Sequence, residues 1–245
     1  MANWSDPPSV TGNVGRTEVA SGAVFDRGLR AYMLSVYNYM ASGVLLTGVV
    51  ALLFASSGLA AQVLTGPGPL KYVIMFSPLI FVMVLSFGIN KLSTAAAQGL
   101  FWAYAAVMGL SLSSIFLVYT GTSIAQTFFA TAAAFAALSL WGYTTKKDLS
   151  GFGTFLIMGV VGLLIASLLN LFLKSSAMNF AISAIGVLLF AGLTAYDTQK
   201  IKSIYAHVAG TDMMGKTVVM GALSLYLDFI NMFMFLLRFM GGNRD

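Results

Sequence analysis

Two aspartates, Asp197 and Asp228, lie within stretches that otherwise have the composition of membrane-spanning helix. The chain carries eight acidic residues, and only these two are embedded in long apolar runs. An ionisable side chain at the centre of a bilayer costs roughly 2.5–3.5 kcal/mol on insertion scales, so an embedded acid marks a functional position by default. Two carboxylates that meet in a low dielectric do not both ionise readily, and they exchange protons as a coupled pair. Such a pair responds to pH, and once its protons are gone it offers concentrated negative charge to a cation. Ca²⁺ takes about six to eight oxygen ligands. Asp197 and Asp228, supported by Thr194, Ser224, Asn231 and water, would make a loose calcium site. A loose site suits an ion in transit better than one in storage, because the ion must also leave. The competing structural reading is a shared-proton hydrogen bond that only locks two helices together.

The local spacing says how these residues are carried. Ser224, Asp228 and Asn231 fall at i, i+4 and i+7, one face of a helix. Roughly −0.5 kcal/mol for each strongly apolar residue against roughly +3 for the aspartate leaves this segment near balance for insertion. A polar stripe on a marginal helix belongs inside a bundle, not against lipid. Thr194 sits one turn before Asp197. Asp197 lies 13 residues before Gly210, and Asp228 lies 13 residues after Gly215. Helical arms on both sides of that turn would put each carboxylate about 20 Å from it. Hydropathy, however, puts Asp228 near mid-membrane and Asp197 near a boundary. Levelling them requires the sixth span to protrude through Ile204, or Lys200 and Lys202 to snorkel.

Seven windows of about the required 20 apolar residues are present: 31–55, 72–89, 97–119, 122–143, 152–173, 177–199 and 217–237. With 58% hydrophobic residues, 9% charged and a mean hydropathy of +0.87, the chain is not a soluble globular domain. The expected class is all-α: a polytopic membrane protein of one seven-helix domain, residues 31–240, after a cytoplasmic tail, residues 1–30. No secretory signal is visible in that tail, and Phe25, Asp26, Arg27, Leu29 and Arg30 suit an interfacial lead-in. Gly66-Pro67-Gly68-Pro69 must break the chain between the first two spans, and Pro78 should kink the second. Arg16, Arg27, Arg30, Lys91, Lys146, Lys147, Lys200, Lys202 and Lys216 fall on one side, and Lys71, Lys174, Arg238 and Arg244 on the other. The richer side is the cytoplasmic one, so the N-terminus is expected inside and the C-terminus outside. Without cysteine there is no disulfide, thiolate metal site or thiol catalysis. The net charge of +5 is scattered through short loops, which gives topology signals and no nucleic-acid surface.

Ala195-Tyr196-Asp197-Thr198-Gln199 and Leu225-Tyr226-Leu227-Asp228-Phe229-Ile230-Asn231 together resemble the Bax inhibitor family, over roughly residues 30–240. The resemblance implies six helices around a central seventh. It also implies a pH-sensitive Ca²⁺ leak gated by the two aspartates, with calcium as permeant ion, protons as regulators and no cofactor. The short extramembrane segments are similar to those of bacterial members, which implies the bacterial plasma (inner) membrane. Relatives can carry an arginine in the second span that latches to the pair. Here no basic residue lies between Lys71 and Lys91. The tail from Gly241 to Asp245 also lacks the basic cluster of many eukaryotic relatives.

Two other classes compete. A pair of membrane aspartates is similar to the apparatus of intramembrane aspartyl proteases, but Tyr226-Leu227 puts bulk where such enzymes use glycine, so an enzyme is not expected. A regulatory role, with the bundle docked on another membrane protein such as a quality-control protease, is compatible with the sequence. His207 is expected to be solvated. Asn38 and Asn170 are expected to join helices by hydrogen bonds, and Gly159 with Gly162 to allow close packing.

Overall fold

The structure, a computed structural model, describes the backbone of residues 14–89 and 91–242 and the side chains from Val24 on, Asn90 excepted. The first 13 residues of the expected tail, and its counterpart after Gly242, lie outside that range. Nine helices occur among the described residues: α1 Val14–Ser56, α2 Leu59–Thr65, α3 Leu70–Gly88, α4 Thr94–Leu112, α5 Ile115–Val118, α6 Gly121–Thr144, α7 Ser150–Leu173, α8 Ser176–Val208 and α9 Met214–Met240. Seven segments are long and apolar enough to cross a bilayer, α4 and α5 together forming the third. All seven coincide with the windows read from hydropathy.

Local chemistry sets the breaks. The Gly-Pro-Gly-Pro run separates α2 from α3, as the missing amides and fixed φ of proline require. Ser93, Thr120 and Ser175 cap α4, α6 and α8 by accepting amide hydrogen bonds from Ala96, Ser123 and Met178. Gly210, at φ 73°, turns the chain after α8 in the left-handed region open to glycine. Pro78 lies inside α3 without ending it. The carbonyl of Ile74, deprived of its amide partner by Pro78, accepts instead from the Ser77 hydroxyl at 3.2 Å. Just outside the spans, Asp148 accepts from the Ser150 amide at 2.9 Å. That bond, with one to the Ser150 side chain, holds the Asp148 carboxyl below its ordinary range.

Two boundaries differ from the hydropathy windows: α1 starts earlier and α8 ends later. α1 starts at Val14, so helix reaches well back into the segment read as tail. No proline occurs between Pro8 and Pro67 to stop it. Phe25 of this extension and Tyr32, at the start of the first span, pack on Tyr205 of α8, ring centroids 5.1 and 5.4 Å apart, so α1 and α8 continue beyond the apolar windows together.

α9 is the centre of the bundle. Of its most apolar window 67% is buried, against 39% or less for every other span. It packs against α8, α1, α6 and α4. The surrounding ring is uneven: α3 rests chiefly on α4 and α7 on α8, and both turn large side chains such as Phe76, Leu79, Phe155 and Phe172 outward to lipid. Gly242, the last described residue, is fastened to the turn before α6. Thr120 N–H donates to Gly242 O at 3.1 Å, and Gly242 N–H to Ser123 Oγ at 2.9 Å. α9 therefore finishes at the same end of the bundle as the turn between the third and fourth spans, as seven full crossings demand.

Candidate functional site

α8 and α9 form the most extensive helix pair among the described residues, and each carries one of the two aspartates. α8 continues to Val208, past Ile204, which is what levelling the two carboxylates required. Asp197 stands 11 residues before the end of α8 and Asp228 14 after the start of α9, heights of roughly 17 and 21 Å from the turn. They are close enough for Asp228 to feel the charge of Asp197 directly. Asp228 is 4% exposed, and its Oδ2 has no hydrogen-bond partner among the described residues. A buried carboxylate oxygen without a partner is costly, and native structures keep few of them. Asp197 is half-buried, with Lys200, three residues on in the same helix, as its nearest acting cation.

The flanking residues explain how the acids are held. Tyr226 is fully buried and bridges to Thr47 of α1 at 2.6 Å, while Thr47 donates to Ala105 O of α4 at 2.7 Å. Phe101 and Tyr104 of α4 close on the Tyr226 ring edge-on. On another face of α9, Phe229 packs edge-on against Phe128 and Phe135 of α6. With those two faces fixed, Asp228 is left pointing to α8.

In α8, Ala195 meets the backbone of α6 at Gly142, where a Cβ would collide with the Ala195 main chain. Tyr196 covers Gly153 of α7 just as closely. Thr198 shares a hydrogen bond with Ser139 at 2.8 Å, and Ser139 with Tyr37 of α1 at 2.6 Å. The Gln199 carboxamide accepts from Leu149 N–H and donates to Lys147 O, both at 2.8 Å. Lys202 donates to Tyr143 O at 2.8 Å. Four of the five residues from Ala195 to Gln199 thus fix α8 to α6 and α7, and the fifth, Asp197, faces α9. These partners carry no signal in the local sequence, because they lie about 40 to 160 residues away.

The three polar residues expected to complete a calcium site form no hydrogen bond with either carboxylate. The Thr194 hydroxyl donates to Phe190 O and the Asn231 amide to Leu227 O, each at 2.8 Å. In an apolar span the carbonyl four residues back is the nearest acceptor, and both side chains take it. Ser224 is half-buried in the same helix. Among the described residues no histidine or third carboxylate joins the pair, so a cation held there would keep water as most of its ligand shell. Beside the site, α1 and α6 flank a groove of about 880 Å³ that is open to the lipid side. Apolar side chains line most of it, and Phe229 and the hydrogen-bonded Tyr37 and Ser139 form part of its wall.

Comparison with known proteins agrees with the motif resemblance. A family model described as inhibitor of apoptosis-promoting Bax1 matches residues 29–245. A protein of Rickettsia prowazekii is 50% identical over 232 residues, covering 94% of this chain and 97% of its own length. One of Caulobacter vibrioides is 48% identical over 231 residues, 90% and 92% of the two chains. Inner membrane protein YbhL of Escherichia coli K12 is 48% identical over 219 residues, 89% and 94% of the two chains. With seven candidate spans, the last of them the buried α9, and a family match over residues 29–245, the chain belongs to the Bax inhibitor family and is an all-helical, multi-pass membrane protein.

Proposed function

We propose that this protein is a pH-sensitive calcium leak of the bacterial plasma membrane, gated by Asp197 and Asp228, and that it is not an enzyme. One observation carries the reading: a sealed carboxylate, Asp228, within electrostatic reach of a second, half-exposed one on the helix it packs against most. An oxygen left without a hydrogen bond in a helix pair held so tightly elsewhere is an energetic cost that a purely structural bundle has no reason to keep. Protons and Ca²⁺ compete for the same oxygens, so cation binding strengthens as pH rises. The uneven exposure of the acids gives direction: ions meet Asp197 first, and Asp228 closes the path behind it. No basic residue of α3 acts as a latch, and Lys200 supplies the counter-charge at the mouth. The name of the Escherichia coli relative, an inner membrane protein, supports the location. The lysine and arginine count supports a cytoplasmic N-terminus.

Peptide hydrolysis is disfavoured by the burial of Asp228 beside the bulky Tyr226 and Phe229, which keeps an extended substrate backbone from its carboxylate. The test is Ca²⁺ flux into proteoliposomes across a range of pH, comparing the natural chain with Asp197→Asn and Asp228→Asn. The expected result is a leak whose pH dependence is flattened in both variants. A leak unchanged in both would defeat the gating role and turn attention to docking on another membrane protein. Peptide cleavage abolished by either substitution would establish a protease instead.

A further inference from the structure

A second cavity, of about 610 Å³, opens at the bundle end where α7 turns into α8 and α9 finishes. Its size lies within the roughly 300–1,000 Å³ of small-molecule sites. Its lining has two characters. Lys174, Arg238, Ser176 and Asn179 form the rim, and Leu168 and Leu171 with other apolar side chains form the wall toward the membrane. Among the described residues neither cation has a carboxylate partner, and every described charged residue at this end (Lys71, Lys174, Arg238) is basic. Lys71 is already engaged, donating to Gly66 O at 3.1 Å. Arg238 lies over the Phe235 ring, which holds the guanidinium at the cavity edge.

Lys174 adds an independent observation. It is the only described non-glycine residue with positive φ, 49°, and it occupies the left-handed cap of α7. Glycine or asparagine is the favoured residue in that conformation, so a lysine there forgoes local stability. The same turn starts α8 at Ser176, itself part of the cavity lining, and the positive end of a helix favours an anion.

We infer that this cavity binds the phosphate group of an anionic phospholipid, with Lys174 and Arg238 gripping the phosphate and the leucine wall receiving the first part of an acyl chain. Free phosphate shares the headgroup chemistry, but an apolar wall continuous with the lipid-facing surface has nothing to offer it. The site is separate from the aspartate pair and does not depend on its role.

The test is native mass spectrometry of the full-length protein in detergent, titrated with phosphatidylglycerol or phosphatidylcholine, with inorganic phosphate as competitor. The expected result is preferential retention of phosphatidylglycerol, weakened about tenfold by Lys174→Gly and again by Arg238→Gln. Lys174→Gly should leave the thermal midpoint unchanged or higher, because glycine suits the cap; a loss of binding then cannot be put down to misfolding. Equal retention of both lipids, or undiminished phosphatidylglycerol binding in the double variant, would overturn the proposal. Inorganic phosphate bound as tightly as phosphatidylglycerol would also overturn it, by assigning the cavity to a free anion.

Discussion

At the scale of single residues, Asp228 separates a working site from a structural lock. If the pair only tied α8 to α9 through a shared proton, replacing Asp228 with an apolar residue would remove the tie and loosen the bundle. If the carboxylate is kept for an ion, its burial is a net cost, and exchanging buried ionic groups for hydrophobic ones is often neutral or stabilising by about 1–4 kcal/mol. Asp228→Leu should therefore raise the thermal unfolding midpoint in detergent while abolishing Ca²⁺ binding measured by calorimetry. A lowered midpoint would favour the lock. The cost of the acid was readable from the chain, since an aspartate inside some twenty apolar residues is conspicuous. The idle Oδ2 was not, because hydrogen-bond satisfaction depends on which residues of other helices come near. Thr194 and Asn231 make the same point: periodicity put them beside the acids, but their own backbone carbonyls claim their donors.

At the scale of elements, the stretch from Ala195 to Gln199 is mostly fastening. Gln199 spans the loop between α6 and α7 with two hydrogen bonds, to Leu149 N–H and Lys147 O. Gln199→Ala should free that loop at a cost of about 1 kcal/mol for the pair of bonds. Hydrogen exchange of the Leu149 amide, faster by about fivefold or more, would report it. Unchanged protection would mean that the loop is held by other contacts. Helix boundaries were legible where the chemistry is local, at the Gly-Pro-Gly-Pro break and at the turn holding Gly210. Asn170 was not, since a lone asparagine late in a span suggests a bond between helices. It instead accepts from the Ser175 amide at 3.0 Å and closes its own turn. The start of α1 was missed for a related reason. Polar residues lower hydropathy without breaking a helix, and here the extension is steadied by Tyr205 of α8.

At the scale of the molecule, seven crossings place the start of the first span and the end of α9 on opposite faces of the membrane, with Gly242 fastened beside the turn before α6. The natural chain has no cysteine, so single introduced thiols report sidedness without background. Thr122→Cys should react with a membrane-impermeant maleimide on intact spheroplasts, and Asp212→Cys only after permeabilisation. The reverse pattern would invert the orientation given by the lysine and arginine count and move the mouth at Asp197 to the outer face.

The sequence by itself determined the number of spans, their approximate limits and the two acids out of place within them. Hydropathy and the cost of burying charge act residue by residue along a helix, and need no knowledge of neighbours. Tertiary structure alone decided that α9 is enclosed mainly by α1, α4, α6 and α8, that Tyr226 and Phe229 aim Asp228 at α8, and that Lys174 and Arg238 share a cavity. Those relations join residues far apart in the chain. They depend on which side chains fit together when helices pack, and a one-dimensional pattern of polarity carries no record of that fit.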